Sequence, residues 1–261
     1  MRNFILTICA MFFSFNTSAN AADVMEIVKK AIHASYYQGE TGRAKADMRI
    51  IDKQGRERIR SLTLLRKNLD DQNGPQKYYA YFHKPADINK MVFMAWKNIG
   101  SDDDRWLYLS ALDLVKRIAA SDERTSFVGS NFFYEDVSGR NIDEDIHEIV
   151  EENGEFYVIK STPKEPASVE FSYYKNWVDK ETFIPMKTEY FKDNGNIYRS
   201  YLVEKVEVID GYPTVIDAQM SNNETGGKTL LNYSDIQYNI DLPESIFAER
   251  YLRKAPKKYL R

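Results

Sequence analysis

Short turn signals recur along the chain and constrain its fold more than any other feature. Asn-Gly, Asp-Gly and Gly-Gly pairs favour the positive φ angles of tight hairpin turns, and they occur at positions 73–74, 153–154, 194–195, 210–211 and 226–227. The segments between them alternate apolar and polar residues or are rich in β-branched and aromatic ones, which is typical of half-buried strands. We count about eleven strands. Because no long helical pattern separates them, the sequence predicts a mainly β domain with one curved antiparallel sheet, closed or half closed.

One helix is predicted ahead of the sheet. Apolar residues recur at helical spacing from Val24 to Ile32, and Asp23 is a suitable N-cap. The apolar stripe predicts that this helix packs against another part of the molecule. We therefore expect a single domain over residues 22–261.

The first 21 residues have the pattern of a secretory signal peptide. Arg2 gives a positive start, an apolar run extends from Phe4 to Phe15, and Ala19-Asn20-Ala21 is an A-x-A cleavage site. The apolar run is shorter than the ~20 residues that span a bilayer, so a cleaved signal is favoured over an anchor. Cys9, the only cysteine, lies inside this segment, and the mature chain would have no disulfide. We expect a periplasmic protein.

The sequence offers little for catalysis. His33, His83 and His147 form no H-E-x-x-H pair, and neither a G-x-S-x-G motif nor a glycine-rich phosphate loop is present. Asp102-Asp103-Asp104 is typical of a solvated turn rather than a calcium loop. We predict no catalytic residue, metal or cofactor, although an enzyme with a triad assembled from distant residues stays a third hypothesis. The formal net charge of −3 and the lack of a basic block disfavour nucleic acid as a partner.

The middle of the chain is more apolar than a half-exposed sheet requires. From Met91 to Trp96 both faces of the predicted strand are apolar, so another part of the molecule must cover the second face. Further on, an aromatic stretch around Phe127 and Phe132 is either a plug over the end of the barrel or a lid on a ligand cavity. The basic tail from Arg253 to Arg261 is interpreted as a frayed, solubilising terminus rather than a contact for an acidic partner or anionic lipid.

These observations give a first set of candidate site residues, chosen without knowing which strand face is concave. Apolar residues of this region are predicted to line a hydrophobic cavity: Met91, Phe93, Leu107, Leu109, Phe127, Phe132 and Phe133. The residues that follow are predicted to contact a partner: Tyr134, Glu135 and Asp136.

Four stretches together resemble the outer-membrane lipoprotein-sorting, LolA-like family. They are Arg105–Leu112 with Val115–Ile118, Ser126–Phe132 with Tyr134–Asp136, Trp177–Lys180 with Pro185–Lys187 and Tyr190–Phe191, and Phe247–Arg253. They cover most of the mature chain in the family's order. Two residues depart from the family pattern, since Ser110 replaces a proline and Asn131 replaces an aspartate.

The resemblance implies an open β-barrel of roughly eleven strands wrapped over an N-terminal helix and short lid or plug helices. It also implies a periplasmic carrier that takes a lipid or lipoprotein cargo from an inner-membrane transporter, with an RND-type exporter as the expected partner and at most transient membrane contact. The alternative is a binding or sensor module that docks on a membrane protein through the aromatic segment from Phe127 to Tyr134 and carries no cargo.

Overall fold

The computed structural model describes residues 23–70 and 73–261, so the predicted signal peptide lies outside the described residues. Thirteen strands form one antiparallel sheet: β1 (Thr41–Ile51), β2 (Glu57–Asn68), β3 (Gln76–Lys84), β4 (Val92–Lys97), β5 (Asp104–Leu109), β6 (Leu114–Ile118), β7 (Asp145–Glu152), β8 (Phe156–Pro163), β9 (Tyr173–Asp179), β10 (Pro185–Phe191), β11 (Ile197–Ile209), β12 (Tyr212–Asn222) and β13 (Gly227–Tyr238).

The helices are short. They are α1 (Val24–Ile32), which continues as a π-helical turn (His33–Tyr37), α2 (Glu135–Ser138) and α3 (Arg250–Arg253). Asp23 caps α1 by accepting a hydrogen bond from the Met25 amide at 2.9 Å, as predicted. Single 3₁₀ turns lie at Ala86–Ile88, Ser110–Leu112, Ala120–Asp122, Phe127–Gly129, Ile142–Glu144, Pro166–Ser168, Glu244–Phe247 and Lys257–Tyr259. Within the described ranges, no helix is long and apolar enough to span a membrane.

The strand order is β6-β5-β4-β3-β2-β1-β13-β12-β11-β10-β9-β8-β7. Pairing of β1 with β13 joins the two halves of the chain, while β6 and β7 remain as the two free edges. This confirms the mainly β, open antiparallel architecture. The sheet has two strands more than the sequence count, and the two are these edges. Both carry many charged residues, which protect an edge from pairing with other chains and obscure the apolar alternation of a strand.

The turn signals lie at hairpin turns. Asp210 and Gly211, with φ of 52° and 86°, join β11 to β12 across the directly paired Ile209 and Tyr212. Two consecutive positive φ angles are what a two-residue hairpin turn of the type I′ class requires. The pairs at 73–74, 153–154 and 194–195 likewise fall between consecutive strands, and Gly226 directly precedes Gly227, the first residue of β13.

The sheet has two covered faces in the half formed by β1 to β5. On the outer face, Leu65, Tyr79 and Met94 pack under the C-terminal segment, residues 240–261. Phe247 and Leu252 of that segment are 0 % and 1 % exposed. The C-terminal segment therefore supplies the cover that the doubly apolar β4 requires. The interpretation of the tail as frayed was wrong, because its apolar residues, Leu260 included, are buried in this core.

The inner face is covered by α1 and by the plug segment, residues 119–144, which connects edge strand β6 to edge strand β7. Phe127 and Tyr134 of the plug segment pack on Phe93 of the sheet, and Phe127 also contacts Phe82. Phe132 packs on Tyr201 in the same core. Helix α1 packs on Ile159 of β8 and Val178 of β9. The inner face is thus closed by two separate elements, and the space between them is where a cavity forms.

Candidate functional site

A cavity of about 370 Å³ lies between the inner face, α1 and the plug segment. This volume is within the range of small-molecule pockets in proteins, roughly 300–1,000 Å³. Most of its wall is apolar, and the contributors come from every covering element: Val28, Ala31 and Ile32 of α1, Ala44, Ala46 and Met48 of β1, Leu62 and Leu64 of β2, Phe127, Phe132 and Val137 of the plug segment, and Met220 and Leu231 of β12 and β13.

The period-two rule of strands explains why these residues share one wall. On β2, Leu62, Leu64 and Arg66 are alternate residues, so all three face the cavity. Thr63 and Leu65 face the opposite side, where Leu65 is packed in the outer core. One wall of the cavity is therefore an apolar track of two leucines that ends at a guanidinium group.

Tyrosine hydroxyls supply polar points in this wall. Among the described residues, the hydroxyls of Tyr190, Tyr201 and Tyr233 have no hydrogen-bond partner, while the Tyr36 hydroxyl donates to the Asp136 carbonyl at 3.4 Å. Burial raises the pKa of Tyr190 and of Tyr233 to about 12, so both hydroxyls keep their protons at neutral pH. They are free to donate to, or accept from, a ligand.

Charged side chains fasten the plug segment to the sheet. The Arg124 guanidinium donates to Glu170 at 2.7 and 2.9 Å and also pairs with Glu135. Arg140 pairs with Glu135 at 3.2 Å, Glu144 at 2.6 Å and Asp145 at 3.0 Å. We call Arg124, Glu135, Arg140, Asp145 and Glu170 the charge lock. These ion pairs join the plug segment to Asp145 at the start of β7 and to Glu170 in the loop that precedes β9.

Burial and pairing have opposite effects on the two glutamates of the charge lock. Burial raises the pKa of Glu135 to about 7, although Arg124 and Arg140 oppose the shift. Glu170 is less buried, and hydrogen bonds from Arg124 and Tyr198 hold its pKa at about 2 against desolvation. Glu135 is thus easier to protonate than an ordinary glutamate, whereas Glu170 remains ionised at neutral pH.

Two more cations hold the plug segment from outside the charge lock. Arg199 of β11 is fully buried, pairs with Asp136, and lies 4.0 Å from the centre of the Phe133 ring. The Lys97 ammonium donates to the carbonyls of Ser138 and Gly139 at 2.8 and 3.0 Å, and burial lowers its pKa to about 8.

The sequence-predicted site residues occupy different positions around this cavity. Phe127 and Phe132 line it, as do Glu135 and Asp136 from the predicted partner contacts. Met91, Phe93 and Tyr134 are buried in the adjoining inner core, and Leu107 and Leu109 pack against that core from the sheet edge. Phe133 stacks on Arg199 instead. Whether any of the ten contacts a cargo or a partner stays a prediction.

Sequence reasoning missed the cavity residues of α1, β1, β2, β12 and β13. The alternation of Ala44, Ala46 and Met48 marks them as one face of a strand. That signal identifies a shared face. It does not show that α1 and the plug segment cover the same face and leave a gap between them.

One histidine lines the cavity. His147 of β7 and Ser161 of β8 are directly paired across the two strands, with 2.8 Å between Nδ1 and Oγ. The other ring nitrogen lies 2.9 Å from the Ile142 carbonyl oxygen. Both nitrogens are thereby engaged, and the pair stabilises the β7–β8 edge in the way cross-strand pairs do. Among the described residues, no group of three His, Cys, Asp or Glu side chains is placed to hold a metal ion.

Comparison with known proteins gives the family. A family model described as an uncharacterized protein matches residues 74–254, and the structure of a DUF1329 family protein from Desulfovibrio piger is similar over 88 % of this chain and 98 % of that one, at 25 % identity and a TM-score of 0.78. The chain belongs to the DUF1329 family. No curated protein matches its sequence significantly.

Other solved structures connect this DUF1329 chain to the LolA-like fold. A putative outer membrane lipoprotein-sorting protein domain from Vibrio parahaemolyticus is 26 % identical, with a TM-score of 0.77 over 88 % of this chain and 97 % of that one. A LolA superfamily protein from Nitrosomonas europaea is 20 % identical, with a TM-score of 0.67 over 88 % and 100 %. The resemblance drawn from the four sequence stretches is confirmed for the fold.

Proposed function

We propose that this DUF1329 protein is a periplasmic carrier that holds the apolar part of a lipid or lipoprotein in the cavity between the inner face, α1 and the plug segment. The observation that carries the proposal is the cavity itself, about 370 Å³ of space with a mostly apolar wall inside a packed sheet. Burying apolar ligand surface there stabilises a complex by about 25 cal/mol per Å² without any catalytic group.

Three further points support this proposal. The sequence begins with the pattern of a secretory signal, which supports export of the mature chain. The similar domain from Vibrio parahaemolyticus is described as a putative outer membrane lipoprotein-sorting protein. The unpartnered hydroxyls of Tyr190, Tyr201 and Tyr233 add polar points to a mostly apolar cavity wall, a composition typical of ligand sites.

The expected partner, an inner-membrane RND-type exporter, is part of the proposal and comes from the LolA-like resemblance alone. The docking module is the second candidate, with Tyr134, Glu135 and Asp136 as its contacts. Glu135 and Asp136 are paired with arginines of the same chain, which leaves them less available to a partner. For that reason the carrier is preferred.

The test fills part of the cavity with a large side chain introduced in its wall. Ala44→Trp places a large ring in the cavity wall, and Lys45→Trp puts the same ring on the adjacent residue, which is exposed on the other face of β1. Both variants and the wild type are expressed with export, purified from the periplasm and analysed by native mass spectrometry and lipid extraction. The carrier predicts co-purified lipid in the wild type and in Lys45→Trp and at least tenfold less in Ala44→Trp. Equal lipid in all three, or none in the wild type with added lipid, contradicts it.

A further inference from the structure

One charged residue in the cavity wall differs from all the others. Glu135 and Arg140 pair with each other, Asp136 pairs with Arg199, and Arg43 pairs with Asp235 at 2.9 Å. Arg66 also lines the cavity, yet no carboxylate of the described residues lies within ion-pair distance of it.

The contacts of Arg66 are all with neutral groups. One terminal nitrogen, Nη2, donates to the backbone carbonyls of Gln38 and Gly39, the latter at 3.1 Å. The other, Nη1, donates to the Asn68 side-chain oxygen. Within residues 23–70 and 73–261, the Nε–H has no acceptor. The guanidinium is therefore held firmly in place but keeps its charge and an open donor.

The surroundings of Arg66 add no negative charge. Its electrostatic neighbours are the hydroxyls of Tyr78, Tyr238, Tyr37 and Tyr212, and burial lowers its pKa. The Tyr78 hydroxyl donates to Gln76, and that of Tyr238 is 3.0 Å from Thr214, so both are engaged elsewhere. An arginine stays protonated even here, and a buried cation with no counter-ion is costly. An anion in the cavity would remove that cost.

The position of Arg66 fits the head of an amphiphile. Leu62, Leu64 and Arg66 are consecutive inward residues of β2, so Leu62 and Leu64 extend the apolar wall to about 14 Å from the Arg66 backbone along this strand. Met48 of β1 and Leu231 of β13 continue the apolar wall beside it. A single chain with one anionic end matches a wall in which the cation at the end of the apolar track has no carboxylate partner among the described residues.

We infer that the cavity receives a single-chain amphiphile whose carboxylate binds Arg66 and whose apolar chain lies along the Leu62–Leu64 track. This inference rests on the proposed carrier function and adds the chemical class of the ligand, a long-chain fatty acid or an equivalent carboxylate. The Nε–H donates to the carboxylate, and the ion pair forms in a low-dielectric wall where charge-assisted hydrogen bonds are strong.

The experiment compares three ligands of one chain length: palmitate, hexadecanol and methyl palmitate. Dissociation constants are measured at pH 7.5 with the delipidated mature protein, using radiolabelled ligands below their aggregation concentrations. We expect palmitate to bind wild type about tenfold more tightly than the alcohol or the ester. This arm needs no substitution and so does not depend on any variant folding.

Two neighbouring substitutions complete the test. Arg66→Met removes the cavity cation, while Lys67→Met removes a cation from the next residue, which points away from the cavity and pairs with Glu40 at 3.2 Å. We expect the tenfold preference for palmitate to be lost in Arg66→Met and kept in Lys67→Met, with circular dichroism confirming that both are folded.

The outcomes separate the two proposals. If palmitate, hexadecanol and methyl palmitate bind wild type equally, the carrier stands and the assignment of Arg66 is wrong. Retention of the full preference in folded Arg66→Met also overturns that assignment. If none of the three binds, the carrier proposal fails, and the inference about its ligand fails with it.

Discussion

The two covers of the sheet differ in how they are held. The C-terminal segment closes the outer face with apolar side chains such as Phe247 and Leu252, which are almost fully buried. The plug segment closes the inner face partly with Phe127 and Phe132 and partly with buried ion pairs. The outer cover packs tightly on the sheet, whereas the inner cover leaves a cavity beside α1.

This difference indicates that the two covers have different roles. Apolar packing is strong and not directional, so the outer cover serves stability. Buried ion pairs are costly to desolvate and add little net stability over an apolar equivalent, but they fix a geometry. We therefore interpret the outer cover as the permanent part of the core and the charge lock as the device that positions the cavity wall.

The largest expected effect comes from breaking the outer cover. Phe247 is fully buried, and its carbonyl accepts a hydrogen bond from the Trp96 indole at 2.9 Å. Phe247→Ala leaves a cavity in the outer core, and we expect a loss of about 3–5 kcal/mol in the free energy of unfolding, measured by urea denaturation. The control Val208→Ala removes a largely exposed side chain and should change stability by less than about 0.5 kcal/mol. Similar losses in both variants would contradict the assignment of the C-terminal segment to the core.

A smaller effect is expected at the inner cover. Arg124→Met keeps an unbranched apolar side chain but removes the guanidinium that lies over the Phe171 ring and pairs with Glu135 and Glu170. The pKa of Glu135 is already raised, so this carboxylate can take up a proton when Arg124 is removed, which reduces the cost of leaving it buried without that partner. We expect the free energy of unfolding to fall by about 2–3 kcal/mol. Hydrogen exchange should then increase in residues 119–144 and stay unchanged in the C-terminal segment. Increased exchange in both covers would show that they are not independent.

The smallest effect is a pH dependence specific to the charge lock. The folded-state pKa of Glu170, about 2, lies below its ordinary value near 4.5. The stability that it contributes is thus fully present above about pH 4.5 and is lost as the pH falls toward 2. We expect Glu170→Gln to flatten this acid limb of the stability curve, measured by thermal unfolding between pH 2.5 and 6. An unchanged acid limb would contradict the role of Glu170 in the charge lock.

The same experiment also tests Glu135, whose contribution to stability changes with pH in the opposite direction. Its pKa is raised to about 7, so the folded protein binds an extra proton between about pH 4.5 and 7. The contribution of Glu135 to stability is therefore greatest at the acid end of this range and falls as the pH rises. Glu135→Gln should flatten the fall on that side and leave the acid limb below pH 4.5 in place.

Much of the fold is readable from local sequence. The hairpin turns follow from Asn-Gly and Asp-Gly pairs because those residues tolerate positive φ, and the need for a second cover on β4 follows from its two apolar faces. Edge strands β6 and β7 are harder to recognise, since an edge lacks a neighbour on one side and can carry charge on both faces.

The site is less readable because it is assembled from distant segments. The inner position of Arg66 depends on the register of β2, which a slip of one residue would reverse. The contacts of Arg66 depend on the path of the chain at Gln38 and Gly39, and the burial of Glu135 depends on where residues 119–144 cross the sheet. Sequence alone suggested Phe127 and Phe132 from their apolar character, but it gave no reason to consider Leu62, Leu64 or Arg66.

The central claim, that the inner cavity is a carrier site, is tested most directly by a crystal structure of the mature chain purified from the periplasm without delipidation. We expect continuous elongated density between α1 and β2, bounded by Leu62 and Leu64, and a lipid that mass spectrometry of the dissolved crystals identifies. A cavity that contains only water, or side chains collapsed into it, in protein that was offered lipid at saturating concentration would contradict the claim.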